Sequence, residues 1–320
     1  MVEQIIAVLG PTASGKSKLA ATIAQALGGW VINADSMQIY QGLPILTAQP
    51  DGLLQQLAPH HLFATHHASI ASSAGLWRND VYQSLAAARA QAAIPILCGG
   101  TGLYFKALTE GLAQIPRISP EIRQQLHHEL ATFGIEAMRA KLARLDPDHL
   151  HYGSDPQRVL RALEVYLATG KSLLTWQEQH QDQLGCQNKA HPIKLLVILL
   201  LPPREQLYQR INARVIQMVH DGVMEEVGAV MRCMGSEVWP ITNALGFVPL
   251  QRYLQGHHDL EFAIQQTQTL TRRYAKRQMT WLRHQKSPAF AITARLEAPP
   301  ESKAFNLLIE TLRTCLHVSL

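Results

Sequence analysis

The chain has 320 residues, of which 47% are hydrophobic and 17% are charged, so it is too apolar to be an intrinsically disordered protein. Its four cysteines include no Cys-x-x-Cys pair, which argues against a cysteine-held zinc site and is typical of proteins of the reducing cytoplasm. The formal net charge is +5, with the positive excess in the C-terminal third. No apolar run is long enough to span a bilayer, and we expect no membrane partner.

The first third of the chain alternates between strand and helix patterns. Ile5 to Leu9 is an apolar run that ends before a glycine, and Ser17 to Leu27 has the pattern of a helix. Strand patterns follow at Trp30 to Asn33 and at Ile94 to Cys98, with an alanine-rich helix over 75–93 between them. Strands that alternate with helices predict an α/β fold with a parallel sheet.

From about Pro116 the strand patterns disappear. Three helical patterns follow one another, and a strand pattern returns only at Ile193 to Leu201. The helical patterns cover residues 119–132, 135–145 and 156–169. We therefore predict an all-helical insertion at 117–190, within a core whose two parts are 1–116 and 191–320.

The segment between the first strand and the first helix fits the pattern G-x-x-x-x-G-K-S/T. Backbone N–H groups of such a loop wrap a phosphate, and the helix N-terminus adds positive potential. The lysine can neutralise phosphate oxygens, and the last hydroxyl can ligate Mg²⁺. The residues expected to bind are Gly10, Pro11, Thr12, Ala13, Ser14, Gly15, Lys16 and Ser17. The loop predicts a P-loop NTPase-like core that binds a polyphosphate or a pyrophosphate, without specifying which.

Two other predicted strands end in polar or glycine-rich loops. Asp35 follows the second strand, where it can be a general base, a Mg²⁺ contact or a helix cap. Gly99, Gly100 and Gly102 surround Thr101 after the strand at 94–98. These glycines either let a ligand approach the backbone closely or form a tight turn, and the sequence leaves both open.

A basic helix is predicted near the C-terminus. Residues 260–290 contain six basic residues, the last of them Lys286, and one acid. Arg273, Lys276 and Arg277 share one helical face, which predicts contacts with the phosphates of a nucleic acid. The aromatic residues Tyr274 and Trp281 lie on another stripe of the same helix and are expected to pack in the core.

Taken together, five segments resemble the tRNA dimethylallyltransferase (isopentenyl-tRNA transferase) family. They are GPTASGKS at 10–17, NADSMQIYQGL at 33–43, PILCGGTGLY at 95–104, DPQRVLRALEVYLATGKS at 155–172 and TRRYAKRQMTWLR at 271–283. Their joint occurrence in this order is far more specific than the phosphate-binding pattern alone. No Cys/His zinc module follows, so we expect the bacterial form of the family.

The resemblance implies a prenyltransferase. It implies transfer of a dimethylallyl group from dimethylallyl diphosphate to N6 of the adenosine at tRNA position 37, with Mg²⁺ as cofactor. Asp35 matches the family's general base, Thr101 a residue at the reacting site, and Arg214 an arginine that neutralises the leaving diphosphate. The expected partners are the anticodon stem-loop of tRNA and dimethylallyl diphosphate, with the enzyme acting as a monomer.

The resemblance also implies tRNA contacts, and two stretches depart from the family. Leu46 and Gln49 stand where the family has glycine and lysine, and Phe247-Val248-Pro249 replaces Tyr-Lys-Glu. The implied contacts are Asp35, Ser36, Met37, Gln38, Thr101, Arg123, Gln157, Arg158, Val159, Leu160, Arg161, Asn243, Gly246, Phe247, Thr271, Arg272, Arg273, Tyr274, Ala275, Lys276, Arg277 and Gln278.

Two other classes of protein are compatible with parts of the sequence. A P-loop kinase of a nucleoside or small metabolite would place ATP in the loop and use Asp35 as the base for a hydroxyl. A non-catalytic RNA-binding ATPase would need an apolar Walker-B strand that ends in Asp, and none is convincing here. The basic helix and the long insertion favour a tRNA-modifying enzyme, because both are excessive for a small substrate.

Overall fold

The computed structural model describes residues 3–146, 148–153, 155–187, 193–284, 290–292 and 302–316. The chain divides into two compact units. The first unit comprises Met1–Thr109 and Ile193–Leu320, and the second comprises Glu110–Pro192. The range predicted as an insertion, 117–190, lies within the second unit.

The first unit is built on a six-stranded sheet in which every pair of neighbouring strands is parallel. The strands are β1 (Glu3–Leu9), β2 (Gly29–Ala34), β3 (His60–His61), β4 (Ile94–Gly99), β5 (Ile193–Leu200) and β6 (Phe290–Ile292), in the spatial order β3-β2-β4-β1-β5-β6. The α/β class and the four long strands are confirmed. The edge strands β3 and β6 were not predicted, because they have only 2 and 3 residues and so carry no readable period.

Helices cover both faces of this sheet. In chain order, the helices of both units are α1 (Lys16–Leu27), α2 (Gly52–Leu57), α3 (Ala74–Ala90), α4 (Gly102–Thr109), α5 (Pro120–Leu145), α6 (Pro156–Thr169), α7 (Leu173–Gln187), α8 (Arg204–His220), α9 (Val223–Met234), α10 (Phe247–Leu254), α11 (Leu260–Arg283) and α12 (Lys303–Leu316), of which α5, α6 and α7 belong to the second unit. Within the described ranges, none of them is both long and apolar enough to cross a membrane.

The alternation of side chains along β1 divides the core of the first unit into two layers. Ile6 and Val8 pack with α1 and α12 on one face of the sheet. Ile5 and Ala7 pack on the other face with α3, α4, α9, α10 and α11. Because β1 lies inside the sheet and its residues Ile5 to Leu9 are buried on both faces, the loop that follows it starts from a rigid position.

The described part of the second unit contains α5, α6, α7 and one short 3-10 helix, with no strand among these residues. Helix α5 is interrupted at Gly134, whose φ of 75° is not helical, so the two helices predicted at 119–132 and 135–145 meet there. Helix α6 begins after Asp155, whose side chain accepts hydrogen bonds from the N–H groups of Gln157 and Arg158. Leu126 and Leu163 are among the side chains of a separate small core.

Candidate active site

The loop after β1, residues 10–17, is called the phosphate loop here. Gly15 has a φ of 93°, in the left-handed region, and turns the chain directly into α1. A side chain at Gly10 would place its Cβ 2.5 Å from the Ser14 hydroxyl oxygen, so the tight turn requires glycine there. The first turn of α1 leaves backbone N–H groups without helical partners, which makes its N-terminus suited to an anion.

Two cations lie at the phosphate loop. Lys16 is buried, and its ammonium nitrogen contacts the Pro11 carbonyl oxygen at 3.4 Å. Burial lowers the pKa of Lys16, while Cys98 and the Asp35 carboxylate raise it and Arg214 lowers it. Burial also lowers the pKa of Arg214. Among the described residues, no carboxylate forms an ion pair with either cation. A buried and a partly buried cation without a counter-ion favour the binding of an anion at this loop.

Two hydroxyl groups of the phosphate loop have different surroundings. The Ser14 hydroxyl is buried and has no hydrogen-bond partner among the described residues. The Ser17 hydroxyl interacts with the thiol of Cys98, a residue of β4 whose pKa is raised by burial to about 11. The thiol is therefore neutral at physiological pH and does not compete with an anion in the loop.

Asp35 follows β2 in a loop that Asn33 holds in place. The Asn33 amide accepts a hydrogen bond from the Asp35 N–H at 2.8 Å and donates to the carbonyl oxygens of Asp35 and Leu62, each at 3.0 Å. Asp35 Oδ1 accepts a hydrogen bond from the Met37 N–H at 3.0 Å. Its Oδ2 accepts none from the described residues, so one carboxylate oxygen is available to a substrate.

Thr101 joins the loop after β4 to the loop after β2. Its hydroxyl accepts a hydrogen bond from the Ser36 N–H at 3.1 Å, and its own N–H donates to the Ala34 carbonyl at 3.3 Å. The phenol of Tyr274, from α11, interacts with Thr101, and its pKa is raised to about 12 by burial and by the charge of Asp35. The predicted residues Asp35, Thr101 and Arg214 are thus brought to the same edge of the sheet as the phosphate loop.

The glycines around Thr101 serve packing between protein groups. A Cβ at Gly99 would lie 2.1 Å from the Ala34 carbonyl oxygen, and one at Gly102 would lie 2.4 Å from the Trp281 ring. A Cβ at Gly100 would lie 2.3 Å from the Gln278 amide nitrogen. Neighbouring protein atoms therefore occupy the space that one of the two interpretations gave to a ligand, and close packing is what these glycines permit.

Helix α11 presents the predicted basic face to solvent. Arg273, Lys276 and Arg277 are exposed, and the Arg277 guanidinium lies 5.5 Å from the centre of the Tyr274 ring. Arg272 differs from them, because its Nη1 donates to the Asn212 amide oxygen at 2.6 Å. Lys286, the last basic residue of the segment, lies outside the described residues.

Several side chains that were predicted to contact tRNA are buried, and the structure gives them another role. Val159 and Leu160 belong to the core of the second unit, and Phe247 and Ala275 to cores of the first. Gln38 is buried and donates to the carbonyl oxygens of Thr47 and Ala48, each at 2.9 Å. Gln278 is buried as well. These side chains shape the surfaces around them and do not present a group to a polyanion.

The second unit carries predicted tRNA contacts of its own. Arg123 Nε and Arg161 Nη1 donate to the Glu164 carboxylate at 3.0 and 3.1 Å. Glu164 is buried, whereas both arginines keep about half of their surface exposed. Gln157 and Arg158 are exposed on the first turn of the same helix, α6. The described residues thus form a surface of polar and cationic side chains around one buried carboxylate.

Two residues that hold loops of the candidate active site, in the first unit, were not predicted from the sequence. Glu226 of α9 accepts hydrogen bonds from the N–H groups of Ile45 and Leu46, at 2.7 and 3.1 Å, and burial raises its pKa. It thereby holds the loop that departs from the family at Leu46 and Gln49. Asn33 is the first residue of the family segment at 33–43. The signal that could have identified it is a polar residue at the end of a buried strand.

Comparisons with known proteins give one consistent result. A family model described as IPP transferase matches residues 38–285. A tRNA dimethylallyltransferase of Rhodopseudomonas palustris is 42% identical over 302 residues, which cover 94% of this chain and 91% of that protein. A tRNA dimethylallyltransferase of Nitrobacter hamburgensis is 43% identical and covers 92% of this chain and 91% of its own length.

Solved structures are similar as well. The tRNA isopentenylpyrophosphate transferase of Bacillus halodurans is 30% identical, with a TM-score of 0.69 over 98% of this chain and 97% of that one. A eukaryotic dimethylallyltransferase described as acting on tRNA has 24% identity and a TM-score of 0.74, and the match covers 99% of this chain and 81% of that one. The second likeness concerns the fold alone.

Proposed function

Because the chain belongs to the IPP transferase family, we propose that it transfers the dimethylallyl group of dimethylallyl diphosphate to N6 of the adenosine at tRNA position 37. One observation of the structure carries this proposal. Lys16, in the phosphate loop, and Arg214, in α8, form no ion pair among the described residues and lie at the same sheet edge as the Asp35 carboxylate. An anionic leaving group and a nearby proton acceptor are the two requirements of a prenyl transfer to an amine.

The phosphate loop is proposed to bind the diphosphate of the donor. Backbone N–H groups at the start of α1, the buried Lys16 ammonium and the Arg214 guanidinium would stabilise its charge. That charge grows at the bridging oxygen as the allylic C–O bond breaks. Cations that are fixed before the reaction stabilise this developing charge without reorganisation.

Asp35 is proposed to accept the proton of the attacking amine. The N6 nitrogen forms a bond to the allylic carbon, the C–O bond to diphosphate breaks, and the nitrogen then loses a proton. Asp35 Oδ2 is free of hydrogen bonds from the described residues and can take this proton. Thr101 and Asn33 keep the loop of Asp35 in place through the Ser36 and Asp35 N–H groups.

Mg²⁺ is proposed to accompany the diphosphate. No group of three or more His, Cys, Asp or Glu side chains among the described residues could hold a metal ion. Mg²⁺ in such sites keeps several waters and binds substrate phosphates together with one or two protein groups. The Ser17 hydroxyl at the start of α1 fits the role of the protein ligand. The ion would supply positive charge toward the leaving diphosphate.

The acceptor is proposed to be the anticodon stem-loop of tRNA, bound by a monomeric enzyme in the cytoplasm. Arg273, Lys276 and Arg277 offer an exposed face without an acid, which suits phosphate contacts. The kinase interpretation is not favoured, because the relatives over most of the chain are named tRNA dimethylallyltransferases.

Labelled donors test the proposal. The full chain is incubated with unmodified tRNA and either dimethylallyl diphosphate labelled in the prenyl group or ATP labelled in the γ-phosphate. We expect prenyl label in tRNA, and none in a tRNA with guanosine at position 37. Transfer of label from ATP to a nucleoside or small metabolite, with none from the prenyl donor to tRNA, would overturn the proposal.

A further inference from the structure

Gln278 lies in α11 next to the exposed Arg277, but its own side chain is only 4% exposed. Its Oε1 accepts a hydrogen bond from the Thr12 N–H at 2.9 Å. Its Nε2 donates to the Gly100 carbonyl oxygen at 3.1 Å. One buried amide therefore joins the phosphate loop to the turn after β4, and it does so from the helix that carries the basic face.

We propose that Gln278 is a positioning residue that holds the phosphate loop in the conformation that binds diphosphate. The inference rests on the proposed function and extends it. It assigns Gln278 to the donor side of the reaction, although the resemblance to the family implies a contact with tRNA at this position.

The conformation of the phosphate loop explains why it needs external support. Ala13 has a φ of 62°, in the left-handed region that is unfavourable for a residue with a Cβ. Its side chain is covered by Ala275 and Met279, which lie on the same side of α11 as Gln278. A loop with such a strained residue keeps its shape only when its surroundings fix it.

Thr12 is held from two directions. Gln278 binds its N–H, and Arg214 Nη1 donates to its hydroxyl at 3.4 Å. The Nε2 end of the Gln278 amide is also closely packed, because any side chain at Gly100 would collide with it. If the amide is lost, the buried Gly100 carbonyl and the partly buried Thr12 N–H are left without these partners.

The experiment compares Gln278→Met with Gln265→Met in the full chain. Methionine has a similar volume to glutamine but makes neither hydrogen bond. Gln265 lies on the same helix and is exposed, and within the described ranges its side chain donates only to Glu261, so its replacement is a matched control. Calorimetry measures the dissociation constant of inorganic pyrophosphate with Mg²⁺, and a titration measures that of the anticodon stem-loop.

We expect Gln278→Met to weaken pyrophosphate binding about five- to tenfold and to leave stem-loop binding within about twofold. Gln265→Met should change neither constant. Unchanged pyrophosphate affinity in Gln278→Met would overturn the inference, and so would a loss confined to the stem-loop.

Gln278→Asn keeps the experiment decisive if the methionine variant does not fold. The shorter side chain keeps a polar amide but cannot reach both the Thr12 N–H and the Gly100 carbonyl, so pyrophosphate should again bind about five- to tenfold more weakly. Wild-type affinity in this variant would also overturn the inference. The proposed function is tested separately, because a wild-type chain that binds pyrophosphate and transfers no label to tRNA would refute only that function.

Discussion

Arg214 Nη1 donates a hydrogen bond to the Thr12 hydroxyl at 3.4 Å, although 202 positions of sequence separate the two residues. This contact brings α8 to the phosphate loop and leaves the other guanidinium donors for a ligand. Burial lowers the pKa of Arg214, and no carboxylate among the described residues pairs with it. This arrangement supports the proposed role of Arg214, which is to stabilise the diphosphate of the donor as it leaves.

Arg214→Gln should lower the rate of prenyl transfer about 10²-fold or more, because one preorganised cation at the leaving group is lost. Arg214→Lys should recover part of the rate, since it restores the charge but not the planar fork. Single-turnover transfer to tRNA measures both. Arg204→Gln is the matched control on α8, where the exposed Arg204 only packs over the Tyr208 ring. Equal rates in Arg214→Gln and Arg204→Gln would contradict the assigned role.

Asp35→Asn should retain the fold and tRNA binding but lose most of the transfer activity. The amide can still face the Met37 N–H, whereas it cannot accept the N6 proton. A positioned general base contributes about 10²- to 10⁴-fold to a rate. If single-turnover transfer by the variant stays within about threefold of the wild type, Asp35 is not the base.

The sequence predicts the strands and the phosphate loop well, because their signals are local. Buried central strands are continuous apolar runs, and the glycine pattern at 10–17 needs only its neighbours to be recognised. The bond between Gln278 and Thr12 joins positions 266 residues apart, and no local pattern contains it.

A partial signal for Gln278 was nevertheless present in the helical period of α11. Ala275, Met279 and Leu282 are three apolar residues at the spacing of one buried stripe, and Gln278 falls on that stripe. A polar residue on a buried stripe must find hydrogen-bond partners inside the protein. The resemblance to the family implies a tRNA contact at Gln278, whereas the structure buries its side chain against the phosphate loop and the turn after β4.

Cys98 should resist alkylation at pH 8, whereas the exposed Cys233 should react. Burial raises the pKa of the Cys98 thiol to about 11, so below that pH it stays neutral and gives almost no thiolate. Mass spectrometry after iodoacetamide treatment, with and without denaturant, identifies the modified residue. Rapid modification of Cys98 in the native chain would show that the strand end next to Ser17 is open to solvent.

Glu164→Gln should destabilise the second unit by about 1–2 kcal/mol, because the buried carboxylate loses charge-assisted hydrogen bonds from Arg123 and Arg161. Glu136→Gln is the same substitution in an exposed ion pair with Arg139 and should cost less than about 0.5 kcal/mol. Urea unfolding of the two variants measures the difference. Equal losses of unfolding free energy would mean that burial of Glu164 adds nothing to its pair.

The basic face of α11 should contact tRNA phosphates. Arg273, Lys276 and Arg277 are exposed, and each phosphate contact releases counter-ions on binding. Replacing all three by Gln should reduce the slope of log K against log salt by up to about 2–3 in magnitude, at about 0.7–0.9 for each contact. Glutamine is compatible with a helix, so the stability of the chain should change little. The affinity for dimethylallyl diphosphate should not change, because these three side chains lie outside the phosphate loop. Titration of the anticodon stem-loop at several salt concentrations measures the slope. If the face is only solvated and makes no RNA contact, the triple variant and the wild type have the same slope. That result would refute the tRNA contact of this face, and it would leave the transferase assignment intact.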